Sequence, residues 1–300
     1  MLEHKINLQI PLEILKIDNQ RNISVFVLRL DMINPLISGN KYFKLKYYLT
    51  DAIQKKKTTI ASFGGAFSNH IVATALATNL IGLKSIGFIS SYDMAISSTT
   101  LTTARELGME IKMIDKSLKQ TRATIIQQHD NSNIYWINEG GYGQLGIQGS
   151  MEILDHVDNM NSFTHIVCAV GTGTTIAGLL KKASAHQKII GISSMKGNYS
   201  LQDEICSLID TDKIPENLII KHDYHFGGYA RYTENLIDFM NHCWQQYQLP
   251  TDFVYTGKAL FGTFDLIEKG FFPASSKILF IHSGGLQGNI SLPENLLHFT

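Results

Sequence analysis

Short apolar runs rich in β-branched residues alternate along this chain with longer segments of helical period. Runs of about four to eight such residues between turn residues predict buried strands. The predicted strands cover residues 23–30, 58–63, 84–89, 110–114, 134–137, 164–170, 188–193 and 277–282. The predicted helices cover residues 41–55, 69–80, 98–107, 144–155, 175–185, 233–246 and 258–269.

Several predicted strands are apolar throughout, as HIVCAV is at 165–170. Strands of this kind need a sheet that is covered on both faces, which is typical of parallel sheets. With helices between them, they predict an α/β fold with open, twisted, mostly parallel sheets flanked by helices. Two groups of strands, one within 58–137 and one after 164, are expected to form separate sheets that face a cleft.

The charge pattern excludes two classes of partner. The 300 residues carry 26 Lys and Arg against 26 Asp and Glu, so the formal net charge is zero. Binding to a nucleic-acid backbone needs a concentrated basic surface, which the scattered lysines do not supply. The most apolar stretch, 71–89, is interrupted by Asn79 and Lys84 and contains Gly82 and Gly87, so it does not meet the requirements of a membrane span. We expect neither nucleic-acid binding nor membrane association.

The three cysteines, at positions 168, 206 and 243, are far apart and odd in number. This spacing argues against a disulfide framework and a zinc site, and no HExxH motif or carboxylate cluster indicates another metal. The N-terminal segment MLEHKINLQIPLEILK lacks the apolar core of a signal peptide. We expect a cytoplasmic protein without a bound metal.

A loop of glycine and threonine follows the strand predicted at 164–170 and leads into a helix. It consists of Gly171, Thr172, Gly173, Thr174 and Thr175. Backbone N–H groups and hydroxyls at the positive end of a helix dipole can form a phosphate-binding cup. An ordinary turn with Thr174 or Thr175 as the N-cap explains the same residues equally well. The Gly-Lys-Ser/Thr ending of a P-loop is missing, which disfavours nucleotide triphosphate hydrolysis.

A G-x-G-x-x-G match begins at Gly141 and ends at Gly146. The dinucleotide fingerprint also expects an acidic residue at the end of the following strand, but that strand ends in Gly171. A glycine-rich entry into a helix is therefore favoured over dinucleotide binding.

Two further motifs place polar residues at helix starts. Lys41 and Lys44 share one face of the first predicted helix. A neighbouring cation lowers the pKa of a lysine and makes it a nucleophile, although solvated lysines explain the spacing too. In GGAFSNH, Ser68 and Asn69 either cap a helix or contact a ligand that the paired glycines admit.

A phosphate cup, a carbonyl-reactive lysine and close-approach glycines together are what a pyridoxal 5′-phosphate enzyme needs. The chain resembles the fold type II (tryptophan synthase β-like) pyridoxal-phosphate enzymes, in particular the group of 1-aminocyclopropane-1-carboxylate deaminase and D-cysteine desulfhydrase. The similarity covers almost the whole chain. It rests on the ordered motifs SGNKYFKLKYYL, SFGGAFSNHIVATA, EGGYGQLGIQG, VGTGTTIAGL, FGGYAR, VYTGKALFGTFDLI and FIHSGG.

The resemblance implies pyridoxal 5′-phosphate as cofactor, with Lys41 as the lysine that forms the Schiff base. Lys44 would assist near the phosphate. Asn69 would bind the cofactor 3-hydroxyl, and Ser68 would lie beside the substrate carboxylate. The phosphate would be held by Gly171, Thr172, Gly173, Thr174 and Thr175.

The C-terminal motifs supply the remaining residues that the resemblance implies. Tyr229 and Tyr255 would flank the substrate and the cofactor, and Ser283 would face the pyridine nitrogen. The resemblance further implies a homodimer and a cofactor cleft between two domains. The larger would contain residues 1–48 and 141–300, and the smaller residues 49–140.

The substrate depends on position 256. The deaminase motif has a glutamate there, which pairs with the pyridine nitrogen, whereas this chain has Thr256. A hydroxyl partner, Thr256 or Ser283, makes the cofactor a milder electron sink, which suits β-elimination. Ser283 itself stands where the desulfhydrases usually have threonine. We therefore expect a lyase that converts D-cysteine into pyruvate, ammonia and hydrogen sulfide.

Several alternatives stay open from the sequence. The nearest is the deaminase itself, which opens the ring of 1-aminocyclopropane-1-carboxylate to give 2-oxobutanoate and ammonia. Another β-eliminating or racemising enzyme, a non-catalytic protein that binds a phosphate ligand, and an NAD-dependent dehydrogenase are further alternatives. Lys41, Tyr255 and Ser68 all remain candidates for moving the α-proton.

Overall fold

The computed structural model describes residues 2–6, 8–37 and 39–299, so Ser38 of the SGNK motif lies outside the described residues. Within these ranges the chain forms ten strands in two sheets. The strands are β1 (Leu12–Leu15), β2 (Ser24–Arg29), β3 (Thr59–Gly64), β4 (Lys84–Ser91), β5 (Met109–Asp115), β6 (Ile134–Ile137), β7 (His165–Val170), β8 (Lys188–Ser193), β9 (Leu218–Lys221) and β10 (Lys277–His282).

Helices cover the faces of both sheets. They are α1 (Asn40–Gln54), α2 (Asn69–Ile81), α3 (Thr99–Glu106), α4 (Arg122–His129), α5 (Gln144–Met151), α6 (Thr174–Lys182), α7 (Leu201–Leu208), α8 (Glu234–Tyr247) and α9 (Thr256–Glu268). In the described part of the chain, no helix is both long and apolar enough to cross a membrane.

The larger sheet has the order β1-β2-β10-β7-β8-β9, and the smaller has the order β5-β4-β3-β6. Every pairing is parallel except that of β1 with β2. Every residue of β7 is buried, because helices pack on both faces of the larger sheet. The predicted α/β class with two mostly parallel sheets is confirmed.

All eight predicted strands are present, but two short strands and two helices were not predicted. The added elements are β1, β9, α4 and α7. The two strands have four residues each and lie at the two edges of the larger sheet. The signal for α7 was present, since Leu201, Ile205 and Leu208 are buried on one helical face. The helix predicted at 144–155 is α-helical only to Met151 and continues as a 3₁₀ helix.

The two sheets fall on either side of the predicted domain division. The strands of the smaller sheet lie within residues 49–140, and those of the larger sheet lie within 1–48 and 141–300. The predicted boundary at 48/49 falls inside α1, which packs on α5 and on α2. The domain division itself stays a prediction.

The start of α1 touches the end of β10. Asn40 N donates to Ser283 O at 3.2 Å, and Gly39, with φ of +66°, lies directly against the same carbonyl. A Cβ at position 39 would be 1.7 Å from Ser283 O. Only glycine fits a left-handed backbone at this distance, so this contact fixes where α1 begins.

We expect Gly39→Ala to lower the free energy of unfolding by more than about 3 kcal/mol, because the new methyl group must displace backbone. Gly82, which ends α2 with φ of +73°, is a matched control, since its Cβ would meet open space. Gly82→Ala should cost only about 1 kcal/mol of backbone strain. Urea denaturation of both variants measures the two losses. Equal losses would show that the contact with Ser283 is not what requires glycine at position 39.

Candidate active site

Lys41 lies in the first turn of α1 and is linked to the first turn of α6. Lys41 Nζ donates to Asn40 Oδ1 at 3.1 Å, and Asn40 Nδ2 donates to Thr175 Oγ1 at 2.8 Å. One chain of hydrogen bonds therefore joins the lysine to the glycine and threonine loop. Asn40 was not predicted as a site residue, although it stands next to Lys41 in the GNK motif.

Lys41 and Lys44 of α1 are both poorly solvated. Burial lowers the pKa of Lys41 to about 8, while the Asp252 carboxylate acts in the opposite direction. Burial and the charge of Lys41 hold the pKa of Lys44 well below its ordinary value. Lys44 Nζ donates to Gly140 O at 3.3 Å. An anion bound nearby would stabilise the Lys44 ammonium, and Lys41 has a substantial free-amine fraction near neutral pH.

The loop from Gly171 to Thr175 connects β7 to α6. Its turn is made by Gly173, which has φ of +79° and occupies the N-cap position instead of a threonine. Thr174 and Thr175 are buried, and Thr172 Oγ1 lies 3.4 Å from Thr174 Oγ1. The first N–H groups of a helix have no partner within that helix, so they remain available to a ligand. The loop therefore has the donors of an anion-binding helix start.

The start of α2 carries an unsatisfied acceptor. Ser68 is at the N-cap position, and within the described chain its hydroxyl makes no capping hydrogen bond. Asn69 Nδ2 lies 3.5 Å from Gly285 O, while the buried Asn69 Oδ1 has no hydrogen-bond partner among the described residues. A buried acceptor without a donor is costly, which indicates that a ligand donor binds here. A Cβ on neighbouring Gly65 would meet open space.

His70 ties the first turn of α2 to β3. Ser62 Oγ donates to Ile137 O at 2.8 Å, so His70 Nε2, also 2.8 Å from Ser62 Oγ, is the donor in that contact. Burial, reinforced by the charges of Lys41 and Lys44, lowers the pKa of His70 to about 3. His70 is therefore a neutral structural residue, which the SNH motif alone did not reveal.

Tyr229 and Tyr255 meet ring to ring, with centroids 6.1 Å apart and an interplanar angle of 67°. The side chains of Tyr255 and Tyr229 also interact by hydrogen bonding. The Tyr255 ring also lies against the loop Gly171–Thr175, since a Cβ on Gly171 would be 3.2 Å from a carbon atom of that ring. Burial raises the pKa of Tyr255 well above its ordinary value. Tyr255 is thus protonated at neutral pH and able to donate a hydrogen bond, whereas Tyr229 is 54% exposed.

Asp252 is a fully buried acid that the sequence analysis missed. Asp252 Oδ1 accepts from Thr256 N at 2.8 Å and from Thr256 Oγ1 at 2.6 Å. Asp252 Oδ2 accepts from the N–H groups of Val254 and Tyr255, each at 2.9 Å. A carboxylate has about four acceptor positions, so these donors saturate it. Asp252 therefore fixes the backbone that presents Tyr255.

The same contacts occupy the hydroxyl of Thr256. Thr256 Oγ1 gives its proton to Asp252 Oδ1 and accepts from Asp252 N at 2.8 Å, and the side chain is fully buried. The Thr256 hydroxyl therefore has no proton left to donate to a ligand. Of the two hydroxyls predicted to face a ring nitrogen, only that of Ser283 is not committed in this way.

Ser283 is fixed by contacts at the end of β10. Its carbonyl accepts from Asn40 N at 3.2 Å. Nδ1 of the preceding His282 lies 3.1 Å from Asp31 Oδ1, and Arg29 Nη2 lies 2.7 Å from Asp31 Oδ2. These side chains are buried, so they hold the β10 end rigidly beside Lys41.

A cavity of about 430 Å³ lies beside Phe67, the residue that precedes Ser68. Its other lining residues are hydroxyl residues at the start of α3 and, from the C-terminal segment, Gln287, Gly288, Ile290 and Ser291. This volume is that of a small-molecule site. The described residues contain no cluster of three or more side chains that could hold a metal ion.

The glycines of the G-x-G-x-x-G match serve packing. A Cβ on Gly146 would be 2.1 Å from Gly141 O. Further along α5, a Cβ on Gly149 would be 1.8 Å from Phe43 O in α1. Close approach of these segments therefore explains the glycine pattern without a dinucleotide.

We expect Asp252→Asn to reduce the free energy of unfolding by about 2–4 kcal/mol, because an amide nitrogen would face backbone donors. Urea denaturation measures the loss. Asp155→Asn is the matched control, since Asp155 forms an exposed ion pair with Lys182, and its loss should stay below about 1 kcal/mol. If both variants lose the same stability, Asp252 does not organise the start of α9.

Comparison with known proteins agrees with this geometry. A family model described as "Pyridoxal-phosphate dependent enzyme" matches residues 7–284. A candidate 1-aminocyclopropane-1-carboxylate deaminase of Thermotoga maritima is 30% identical over 307 residues, which cover 96% of this chain and 97% of the relative. A 1-aminocyclopropane-1-carboxylate deaminase of Methylobacterium nodulans is 27% identical over 277 residues, 82% of each chain.

A solved structure shows the same architecture. The crystal structure of an ACC deaminase homologue superimposes with a TM-score of 0.76 at 26% identity. The superposition covers 96% of this chain and 94% of that one. ACC stands here for 1-aminocyclopropane-1-carboxylate.

The residues brought together fit the cofactor of this family. The partnerless Asn69 Oδ1 suits a phenolic hydroxyl, the start of α6 suits a phosphate ester, and the Lys41 amine suits an aldehyde. This fit and the family match over residues 7–284 together favour an enzyme over a non-catalytic phosphate-binding protein. The chain belongs to the pyridoxal-phosphate dependent enzymes, in the family of 1-aminocyclopropane-1-carboxylate deaminase and D-cysteine desulfhydrase.

Proposed function

We propose that this enzyme is a D-cysteine desulfhydrase, which converts D-cysteine and water into pyruvate, ammonia and hydrogen sulfide. The proposal rests chiefly on position 256. The family resemblance places a glutamate there in the deaminases, whereas Thr256 is buried and gives its proton to Asp252. Asp252 in turn is saturated by donors of its own segment. This segment therefore supplies no carboxylate that could take a proton from a ring nitrogen.

The neutral hydroxyl of Ser283 is then the proposed partner of the ring nitrogen. When bound, the cofactor supplies an electron sink for the bond broken at the substrate α-carbon, and a neutral partner makes that sink mild. β-Elimination suits this arrangement, because the departing sulfur takes the electron pair. Ser283 is well placed for the role, since its backbone contacts Asn40 next to Lys41.

Other residues of the site would hold the cofactor and the substrate. The phosphate would lie on the loop Gly171–Thr175 at the start of α6, with the Lys44 ammonium as counter-charge. The amide of Asn69 would bind the 3-hydroxyl through the acceptor that otherwise lacks a donor. Ser68, at the neighbouring N-cap position, would hold the substrate carboxylate.

Lys41 is the proposed proton acceptor at the α-carbon. Its pKa of about 8 leaves a substantial fraction of free amine near neutral pH. Tyr255 is the weaker candidate, because burial raises its pKa well above the ordinary value and so keeps its hydroxyl protonated at neutral pH. Tyr255 and Tyr229 would instead orient the substrate by hydrogen bonding and ring contact.

1-Aminocyclopropane-1-carboxylate deamination is the second candidate function. The relatives of Thermotoga maritima and Methylobacterium nodulans carry that name, which favours it. Opening of a cyclopropane ring expels no leaving group, so the reaction asks for a stronger electron sink than position 256 supports. A cytoplasmic homodimer stays a prediction from the sequence and the resemblance.

Assays with matched substrates test the proposal. We expect sulfide and pyruvate from D-cysteine, little sulfide from L-cysteine, and no 2-oxobutanoate from 1-aminocyclopropane-1-carboxylate. Lys41→Ala should remove all turnover above that of free pyridoxal phosphate while circular dichroism shows an unchanged fold. Formation of 2-oxobutanoate without sulfide would replace the proposal by the deaminase activity. Turnover in folded Lys41→Ala would remove Lys41 from its role.

The proposed role of Lys41 also predicts its titration in cofactor-free protein. Acetylation of Lys41 at a series of pH values, followed by mass spectrometry, should show a midpoint near pH 8, well below the value of about 10.4 for a model lysine. Asp252→Asn should move the midpoint lower still, because the Asp252 charge raises the pKa of Lys41. A midpoint at the ordinary lysine value would contradict the role of Lys41 as a base.

A further inference from the structure

Lys258, in the first turn of α9, is a lysine for which the proposed reaction has no use. Its side chain is 0% exposed. Lys258 Nζ donates to His225 O at 2.8 Å and to Gly228 O at 2.7 Å. Both acceptors belong to residues 225–231, here called the tyrosine loop because Tyr229 lies in it.

Burying an ammonium group is costly, so this lysine needs a compensating role. Burial lowers the pKa of Lys258 to about 8, and the charge of Asp252 opposes that shift. The two hydrogen bonds go to backbone carbonyls rather than to a carboxylate. What Lys258 holds directly is therefore a loop conformation and not an ion partner.

The conformation of the tyrosine loop is strained. Phe226 and Ala230 have φ of 50° and 51°, and the glycines between them have φ of 94° and 121°. Left-handed backbone at non-glycine residues costs free energy and persists only where surrounding contacts enforce it. A loop with two such residues needs an external anchor.

The carbonyls that Lys258 binds are the ones that close the turns of this loop. His225 O also accepts from Gly228 N at 3.0 Å, and Gly228 O also accepts from Arg231 N at 3.2 Å. The ammonium thus joins both turns, the second of which contains Tyr229, to the helix that follows Tyr255. The ring contact between Tyr229 and Tyr255 depends on that connection.

We propose that Lys258 is a positioning residue, which clamps the tyrosine loop to the start of α9 and so holds Tyr229 against Tyr255. Its consequence for catalysis rests on the proposed function, in which Tyr229 contacts the substrate. The clamp itself is a property of the fold and is tested without turnover.

Limited trypsin digestion of the full, cofactor-loaded protein tests the clamp. The loop ends at Arg231, which is exposed and offers a trypsin site. In Lys258→Met, cleavage after Arg231 should be at least about tenfold faster than in the original protein, because local opening governs proteolysis. Cleavage at sites outside the loop should change much less. Lys269→Met is the matched control, since Lys269 flanks the same helix in an exposed ion pair with Asp265.

The pattern of cleavage separates positioning from general destabilisation. Equal acceleration at all sites, or no acceleration at Arg231, would overturn the clamp. If Lys258→Met does not fold, Gly228→Ala tests the same contact from the loop, because alanine disfavours φ of 121° and displaces the carbonyl that Lys258 binds. Gly228→Ala should then show the same selective cleavage, and intact protection of Arg231 in it would also overturn the proposal.

Kinetics connects the clamp with catalysis. With D-cysteine, Lys258→Met should raise KM several-fold more than it lowers kcat, and Lys258→Arg should restore part of the loss because it keeps donors for both carbonyls. Selective cleavage without any D-cysteine turnover in the original protein would mean that the proposed substrate is wrong while the clamp stands. Unchanged KM alongside selective cleavage would separate the loop from substrate binding and overturn the positioning role of Lys258.

Discussion

The contact of Gly39 with Ser283 determines where every other part of the site lies. The carbonyl of Ser283 receives the first N–H of α1 and leaves no room for a side chain at position 39. Lys41 directly follows Asn40, so the backbone contact of Asn40 also places the backbone of Lys41 beside the end of β10. The link from Lys41 through Asn40 to Thr175 then ties a third segment to the same point.

Buried charged groups near the contact of Gly39 with Ser283 have two different effects. Lys41 and Lys44 lose solvation next to each other, which gives Lys41 more free amine near neutral pH and leaves Lys44 in need of an anion. Asp252 is instead surrounded by donors, and its charge stabilises the backbone before α9. Burial therefore lowers the pKa of the Lys41 amine in α1, whereas the buried Asp252 carboxylate holds the backbone at the start of α9 through hydrogen bonds.

Much of the fold followed from local pattern, while several site residues did not. Apolar runs such as 165–170 and the glycine loop after them mark a buried strand and a helix start in any context. Asn40, His70, Asp252 and Lys258 carry no such mark. Asn40 and Lys258 act through partners far away in the chain, Asp252 through buried backbone groups, and His70 through a serine on the preceding strand. Thr256 is the opposite case. From the sequence its hydroxyl was a candidate cofactor contact, but the hydroxyl proton is donated to Asp252, four residues earlier.

The position of β10 has a consequence for how the enzyme is made. This strand, Lys277–His282, is formed by the last part of the chain, yet it lies between β2 and β7 near the middle of the larger sheet. When all residues before β10 have been synthesised, the larger sheet still lacks one of its central strands. β2 and β7 are joined only through β10, so folding involves contacts of long sequence separation and is expected to be slow. The backbone contact that positions the start of α1, from Asn40 to Ser283, can form only after residue 283 has been synthesised.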